Sequence, residues 1–336
     1  MPRALSKTAK HVWGLLTPKP MAERTDMSGR HVIVTGASPH SLGYETAKIL
    51  AGWGASVVAT SRRHVAQTEK SLRDDLREAG VDEDGIAVRP LDLCDVGSVD
   101  GFAAWYRENC SGRLHVLVNN AGILKDILKP WTRSPLAADG FEIHWRTNYL
   151  GAFHLTSLLL PLLKQGGLES GDARVVNVSS HLHDQGRNDD LFDDEKPYHP
   201  LAAYGRSKLA MIHFSREIER RFAREYNLHS MAVHPGSVDT NMTRVELPEG
   251  RIGDAWSRTS SALAPLIMLH RTHGAQTIVL CASKSPLRGG RYYVRCKAGE
   301  PTDACRDEAV SKRLWECSEA WVETLGKPGG GKHEEV

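Results

Sequence analysis

The sequence predicts a single α/β domain, a doubly wound parallel sheet with helices on both faces. Three observations carry this reading. From His31 onward, short β-branched runs alternate with longer helical patterns. Those runs are almost continuously apolar rather than alternating, as strands buried on both faces must be. No Pro/Gly/Ser-rich break divides the body of the chain. Strand–helix alternation of this kind implies right-handed crossovers and parallel pairing.

Taken in order, the strand candidates are HVIVTG (31–36), ASVVATS (55–61), IAVRPLD (86–92), LHVLVNNAG (114–122), ARVVNVSS (173–180), HSMAVHPG (229–236) and GRYYV (290–294). Helical patterns fall at 44–53, 65–79, 96–110, 140–164, 201–226 and 260–282. The chain is thus expected to divide into an N-terminal arm (1–28), a catalytic domain (29–300) with a substrate lid near 241–264, a C-terminal helical extension (301–326) and a disordered, glycine-rich tail (327–336).

Bulk composition excludes several classes of function. Among 336 residues, 43 basic and 41 acidic side chains give a formal charge of +2, which offers no field for nucleic acid or an anionic membrane. The six cysteines form no CxxC pair, so reduced thiols and a cytoplasmic location are expected. The pair His181 and His183 lacks a third ligand at a recognisable spacing, and no metal is expected. LTSLLLPLLK (155–164) falls short of the roughly 20 apolar residues of a membrane helix, so no membrane span is expected. The apolar VWGLL of the arm is likewise too short for a signal peptide.

In a sheet of this type ligands sit beyond the carboxyl ends of the strands. The candidates there are Gly36, Ser61 with Arg62, Asp92, the run Asn119, Asn120, Ala121, Gly122, then Ser179 with Ser180, and His234-Pro235-Gly236. These are small or hydrogen-bonding groups, the lining of a nucleotide crevice. Within a helical pattern, YGRSK sets Tyr204 and Lys208 on one face. A phenol has a free pKa near ~10, and a neighbouring ammonium favours phenolate and draws that value towards working pH. Ser180 ends the preceding strand, where its hydroxyl can hold a substrate carbonyl. Asn148 lies inside a long helix, poorly suited to pure packing, and can hold a water linking Lys208 to solvent.

With these residues in register, the chain resembles the classical short-chain dehydrogenases/reductases, a family with a Rossmann-type fold. NNAG (119–122), Asn148, Ser180, the Tyr204/Lys208 pair and PGSVDT (235–240) occur in the family's order over residues 31 to about 295. The resemblance implies a catalytic tetrad of Asn148, Ser180, Tyr204 and Lys208, with hydride transfer at a nicotinamide and a proton passed by Tyr204. It also implies that Asp92, followed by Leu93, meets the adenine amino group, and that Thr240, with Val238 in the same segment, lies near the nicotinamide carboxamide. More narrowly, RVVNVSSHLH, AYGRSKLAMIHFSREI and VHPGSVDTNM are similar to the retinol dehydrogenase and WW-domain oxidoreductase group. The N-terminal anchor of many animal retinol dehydrogenases is not seen, which weighs against carrying retinoid over as the substrate.

One departure concerns the first turn. The family pattern is TGxxxGxG. Here Thr35-Gly36 and Gly43 stand, but one residue is added and Ser41 takes the place of the middle glycine. The start of the next helix at Leu42-Gly43 still offers N–H groups and a favourable dipole to a pyrophosphate, and the Ser41 hydroxyl can add a contact. At the second strand end no acid is present to hold a ribose 2′-hydroxyl. VVATSRRH instead places Ser61, Arg62 and Arg63 there, guanidinium groups suited to a 2′-phosphate, with Ser38 and His40 of the first turn in support. The cofactor expected is NADP(H).

The function expected is an NADP(H)-dependent oxidoreductase interconverting ketone or aldehyde and alcohol on a lipophilic substrate of steroid, retinoid, terpenoid or polyketide type. The alternative is a non-catalytic NADP(H)-binding sensor or scaffold, whose support is the altered turn. A dehydratase or epimerase on the same fold is a third reading. The resemblance implies a homodimer or homotetramer built on helices 140–164 and 201–226.

Overall fold

Side chains leave a strand on opposite faces by turns, and the first strand shows what this does here. In β1 (His31–Val34), Val32 and Val34 enter one hydrophobic cluster while Ile33 enters another on the opposite side. The same division runs through β2 (Ser56–Ser61), β4 (Val116–Asn119) and β5 (Ala173–Val178), so the sheet is buried on both faces. The remaining strands are β3 (Ile86–Pro90), β6 (Leu228–His234), β7 (Tyr292–Val294) and β8 (Lys297–Gly299). The computed structural model describes residues 21–110, 112–125, 134–192, 198–236 and 270–325.

One sheet joins the eight strands in the order β3-β2-β1-β4-β5-β6-β7-β8. The first seven run parallel, with Val32 beside both Val57 and Val116. Strand order reverses between β1 and β4, which opens a crevice at their carboxyl ends. The eighth strand departs from an all-parallel sheet. It pairs antiparallel with β7 through a tight turn at Arg295 and Cys296, both at positive φ (52° and 56°). Two successive left-handed residues match the twist of a short hairpin.

On one face lie α1 (Leu42–Gly52), α2 (Val65–Glu78) and α6 (Arg271–Ser283), whose Leu50, Leu72, Leu76 and Ile278 are buried. On the other lie α3 (Val96–Asn109), α4, α5 (Pro200–Tyr226) and α7 (Glu308–Thr324). Helix α4 is the helix expected over 140–164, but it starts at Ile143–Trp145, passes through a π-helical turn at Arg146–Leu150 and continues as Gly151–Ser170. Such a turn is a recurrent device at functional sites, and it carries Asn148. Within the described residues, α6 is shorter than the helix expected over 260–282.

Helix α7 covers the outward side of α4 and α5, the pair on which subunit contacts were expected. The Trp315 ring lies 5.1 Å from Phe153, 5.7 Å from Phe222 and 5.8 Å from Phe214, centroid to centroid. Tyr149 and Ser318 hydroxyls bond at 2.8 Å. Burying one indole removes about 200 Å² from water, on the order of 5 kcal/mol. At the other end of the chain, the segment leading into β1 packs down: Met27 is buried and Ala22 N–H donates to Gln276 at 2.9 Å. The expected lid (241–264), together with Val238 and Thr240, lies outside the described residues, as does the expected tail.

Candidate active site

The first turn is built around its two glycines. Gly36 has φ +71°, and a β-carbon on it would meet the Ala121 Cα at 2.8 Å. A β-carbon on Gly43 would lie 2.5 Å from the Gly36 carbonyl oxygen and 2.6 Å from Asn120 Nδ2. Between them the added residue resolves the missing glycine. His40 takes the left-handed conformation (φ 64°), which leaves Ser41 at φ −105°, an ordinary value for a residue with a side chain. Ser41 is the N-cap of α1: its hydroxyl donates to the Gly36 carbonyl at 3.0 Å and accepts from Tyr44 N–H at 3.1 Å. That hydroxyl is spent on shaping the turn, and the helix terminus at Leu42 and Gly43 carries the backbone N–H groups left without an intrahelical partner.

Behind the turn sits a clamp that sequence reasoning missed. The Asn120 amide donates to the Thr35 carbonyl (2.8 Å) and the Gly36 carbonyl (3.2 Å). The Thr35 hydroxyl accepts from the N–H groups of Asn120 and Ala121, each at 3.0 Å. Asn119, by contrast, faces the core. Its amide donates to Thr156 and Asn177 at 3.0 and 2.8 Å, and the side chain is 1% exposed. It braces the strand ends from within and is removed from the cofactor surface.

At the end of β2, Ser61 is also turned inward. Its hydroxyl bonds that of Ser38 at 2.9 Å and donates to the Arg63 carbonyl, tying the first turn to the second. Arg62 and Arg63 are exposed, and no carboxylate of this turn competes for a ribose. Arg62 stands 3.8 Å from Asp92 across the crevice, and the Asp92 carboxylate accepts Cys94 N–H at 2.9 Å. Leu93 is buried, with its carbonyl held by Arg146 Nη1 at 2.6 Å.

The residues expected to be catalytic come together beyond the ends of β4 and β5. The Ser180 side chain stands beside the Tyr204 phenol, where it acts to lower the phenol's pKa. Lys208 Nζ lies 5.6 Å from the centre of the Tyr204 ring and donates to the Val178 carbonyl at 2.9 Å. A β-carbon on Gly122 would stand 3.3 Å from that ammonium and 3.0 Å from Asn148 Oδ1, so the glycine admits both. Asn148 accepts Ile123 N–H at 2.7 Å and donates to the Ile123 carbonyl (3.1 Å) and the Ser207 hydroxyl (3.0 Å). Both amide hydrogens are therefore used, and the side chain fastens the β4 loop to α5. At the end of β6, Pro235 and Gly236 close the crevice, with Gly236 at φ +93°.

The electrostatics run against the sequence expectation. Tyr204 and Lys208 are 6% and 2% exposed. Burial pushes the phenol up to about 12, with the Ser180 side chain pulling the other way. Burial also brings the lysine down to about 8. Desolvation opposes both charged forms and here outweighs any pull of the ammonium on the phenol.

A second group beside the tyrosine is absent from the sequence reading. The Glu142 carboxylate, 4% exposed, caps the start of α4 by accepting His144 N–H (2.9 Å) and Trp145 N–H (2.8 Å), and it accepts His144 Nδ1–H at 2.7 Å. His144 Nε2 accepts Lys125 N–H at 3.0 Å, which fixes the tautomer, and the imidazole meets the Tyr204 ring edge-on at 6.3 Å. The spacing of FEIHW gives no chemical signal by itself, because the interaction depends on the helix start. His183, one of the histidines of HLH, donates Nδ1–H to the Ser180 carbonyl at 2.7 Å and accepts Thr302 N–H at 3.2 Å. Among the described residues, no group of three His, Cys, Asp or Glu side chains is placed to hold a metal.

This chain belongs to the short-chain dehydrogenase family, whose profile matches residues 30–249. It is 33% identical over 331 residues to retinol dehydrogenase 11 of Homo sapiens, covering 98% of this chain and 96% of that one. To human retinol dehydrogenase 14 it is 37% identical over 315 residues, with 89% and 88% covered. To polyprenol dehydrogenase of Mus musculus it is 37% identical over 294 residues, with 85% and 82% covered. Among solved structures, the Pseudomonas aeruginosa RhlG/NADP active-site complex aligns with a TM-score of 0.60 at 24% identity, over 81% of this chain and 96% of that one. At that identity the likeness speaks for the fold. The protein is an oxidoreductase of this family, related to retinol and polyprenol dehydrogenases, and membership implies a nicotinamide cofactor. No helix among the described residues is long and apolar enough to cross a membrane.

Proposed function

We propose that the protein is an NADP(H)-dependent carbonyl reductase and alcohol dehydrogenase acting on a lipophilic substrate, with Tyr204 as general acid and base. The observation that carries this reading is the meeting of Tyr204, Ser180 and Lys208 beyond the ends of β4 and β5, beside the turn at the point of strand reversal. The first turn suits a dinucleotide: its glycines leave no room for a β-carbon, and the α1 terminus is intact. The exposed Arg62 and Arg63, with no acid in their own turn, favour a 2′-phosphate. When bound, the reduced nicotinamide supplies the hydride.

The chain's own residues handle the oxygen. Ser180 holds the substrate oxygen by the hydroxyl that now meets Tyr204. A phenol held up to about 12 keeps its proton at neutral pH and releases it to the developing alkoxide, a stronger base. Lys208 then stabilises the phenolate left behind, and oxidation runs the same steps in reverse. The relatives' names point to lipophilic isoprenoid alcohols, which accords with a lipophilic substrate here. The altered turn no longer argues for a non-catalytic sensor, since His40 and Ser41 rebuild it locally. The test is NADPH oxidation against a panel of lipophilic ketones and aldehydes, with NADH in parallel. Turnover with NADPH that is lost in Tyr204→Phe is expected, and binding without turnover across a broad panel would return the sensor reading.

A further inference from the structure

Away from the crevice, a cavity of about 340 Å³ opens between α5, β7 and the segment after β8, lined in part by Arg216, Arg291, Tyr292, Glu300 and Arg306. It lies near the opposite end of the sheet. Strand β7 runs parallel to β6, so Arg291 and Tyr292 stand at the amino ends of the strands. Arg216 is three turns along α5 from Tyr204, about 18 Å by helical rise.

The charge at this cavity is unbalanced. Three guanidinium groups line it against one carboxylate. Glu300 and Asp303 are both spent on Arg306, at 2.9 and 3.3 Å, on an exposed rim. Arg216 and Arg291 are half-buried, and neither has an ion-pair or side-chain hydrogen-bond partner among the described residues. The buried Arg146 and Arg174 are paired, with Asp139 at 2.6 Å and Asp172 at 2.7 Å. Partly desolvating two guanidinium groups without counter-charge costs free energy that an anion would recover. Arginine forks match phosphate oxygens two at a time, and two of them match a dianion. The volume exceeds that of a bare phosphate, leaving space for what carries it.

We propose that this cavity is a second anion site, in which Arg216 and Arg291 grip a phosphoryl dianion, with Arg306 released from Glu300 to close on it. The group is carried either by a soluble small molecule or by a lipid headgroup.

The test is thermal unfolding in sodium phosphate against sodium chloride of equal ionic strength, with NADP⁺ saturating so that phosphate positions in the crevice are filled. Phosphate at about ten times its Kd is expected to raise the melting temperature of the wild type by about 2 °C. The double variant R216Q/R291Q loses that rise. E300Q, at an exposed residue, frees Arg306 and enlarges it. No rise in the wild type, a rise kept by R216Q/R291Q, or no enlargement in E300Q overturns the proposal. E300Q decides the matter if the double variant does not fold. Flotation with phosphatidylcholine vesicles, with and without phosphatidylinositol 4-phosphate, separates the two carriers. Arginine-dependent flotation assigns the group to a lipid, and stabilisation without flotation assigns it to a soluble molecule. The readout is stability rather than turnover, so its failure leaves the catalytic reading intact.

Discussion

Replacing Arg62 with alanine separates the 2′-phosphate from every other part of cofactor binding. A charge-assisted, two-pronged contact between guanidinium and phosphate contributes about 1.5–3 kcal/mol. The Arg62 side chain is 50% exposed, so screening places it at the lower end, about 1.5 kcal/mol, or roughly tenfold in affinity. The variant also loses the 3.8 Å approach to Asp92. An exposed pair of that length is worth below about 1 kcal/mol, and its loss bears equally on both cofactors. The diagnostic quantity is therefore the ratio of NADPH to NADH affinities, read by fluorescence titration of wild type and Arg62→Ala. The ratio is expected to fall about tenfold while NADH binding stays within twofold. Raising salt should shrink the NADPH preference in the wild type and leave the variant flat. A loss equal for the two cofactors, or no loss at all, would refute the assignment of Arg62 to the 2′-phosphate.

Three further outcomes follow from the same geometry. Ser41→Ala removes the cap of α1 and should cost about 1 kcal/mol in denaturant unfolding, with NADPH binding weakened because the turn loses its tie to Gly36. Glu142→Gln weakens the hold on His144 against Tyr204, so kcat should drop severalfold with KM nearly unchanged. A change in KM alone would argue that the pair merely shapes the substrate pocket. Burial holds His115 and His213 down to about 4 and His234 to about 3, below the ordinary histidine value. The unfolded chain binds these protons near pH ~6.5 and the folded chain does not. The stability they supply is thus present above pH ~6.5 and is lost as pH falls towards about 4. Each site contributes up to about 1.4 kcal/mol per pH unit within that window. Urea midpoints measured from pH 7 to pH 5 should fall, and a flat profile would contradict the neutral, buried assignment.

What could be read from the sequence, and what could not, follows from the range of the forces involved. Strands such as ARVVNVSS and HSMAVHPG announce themselves because two-sided burial demands unbroken apolar runs. The strand ends then gather Gly36, Ser180 and Pro235 without further information. Strand β8 left no trace, since three residues of an exposed hairpin need no apolar pattern and its turn uses Arg295 and Cys296 where glycine is usual. The π turn at Asn148 was hidden because Arg146 to Leu150 are all buried, so no polar face marks the change of hydrogen-bond spacing. Asn119 and Asn120 are neighbours in sequence with opposite duties, one in the core and one on the turn, and only the strand's direction tells them apart. The same limit explains the tyrosine. Spacing shows that an ammonium is near a phenol, but the depth of burial, which sets the direction of both shifts, is a property of the packed protein.

Single-turnover oxidation of bound NADPH, followed by loss of absorbance on mixing with a lipophilic ketone, tests whether Tyr204 delivers the proton. Tyr204→Phe should bind NADPH as the wild type does and transfer hydride about a thousandfold more slowly, within the range that a positioned acid supplies. A phenylalanine variant that reduces the ketone within a few fold of the wild type would show that the proton comes from elsewhere.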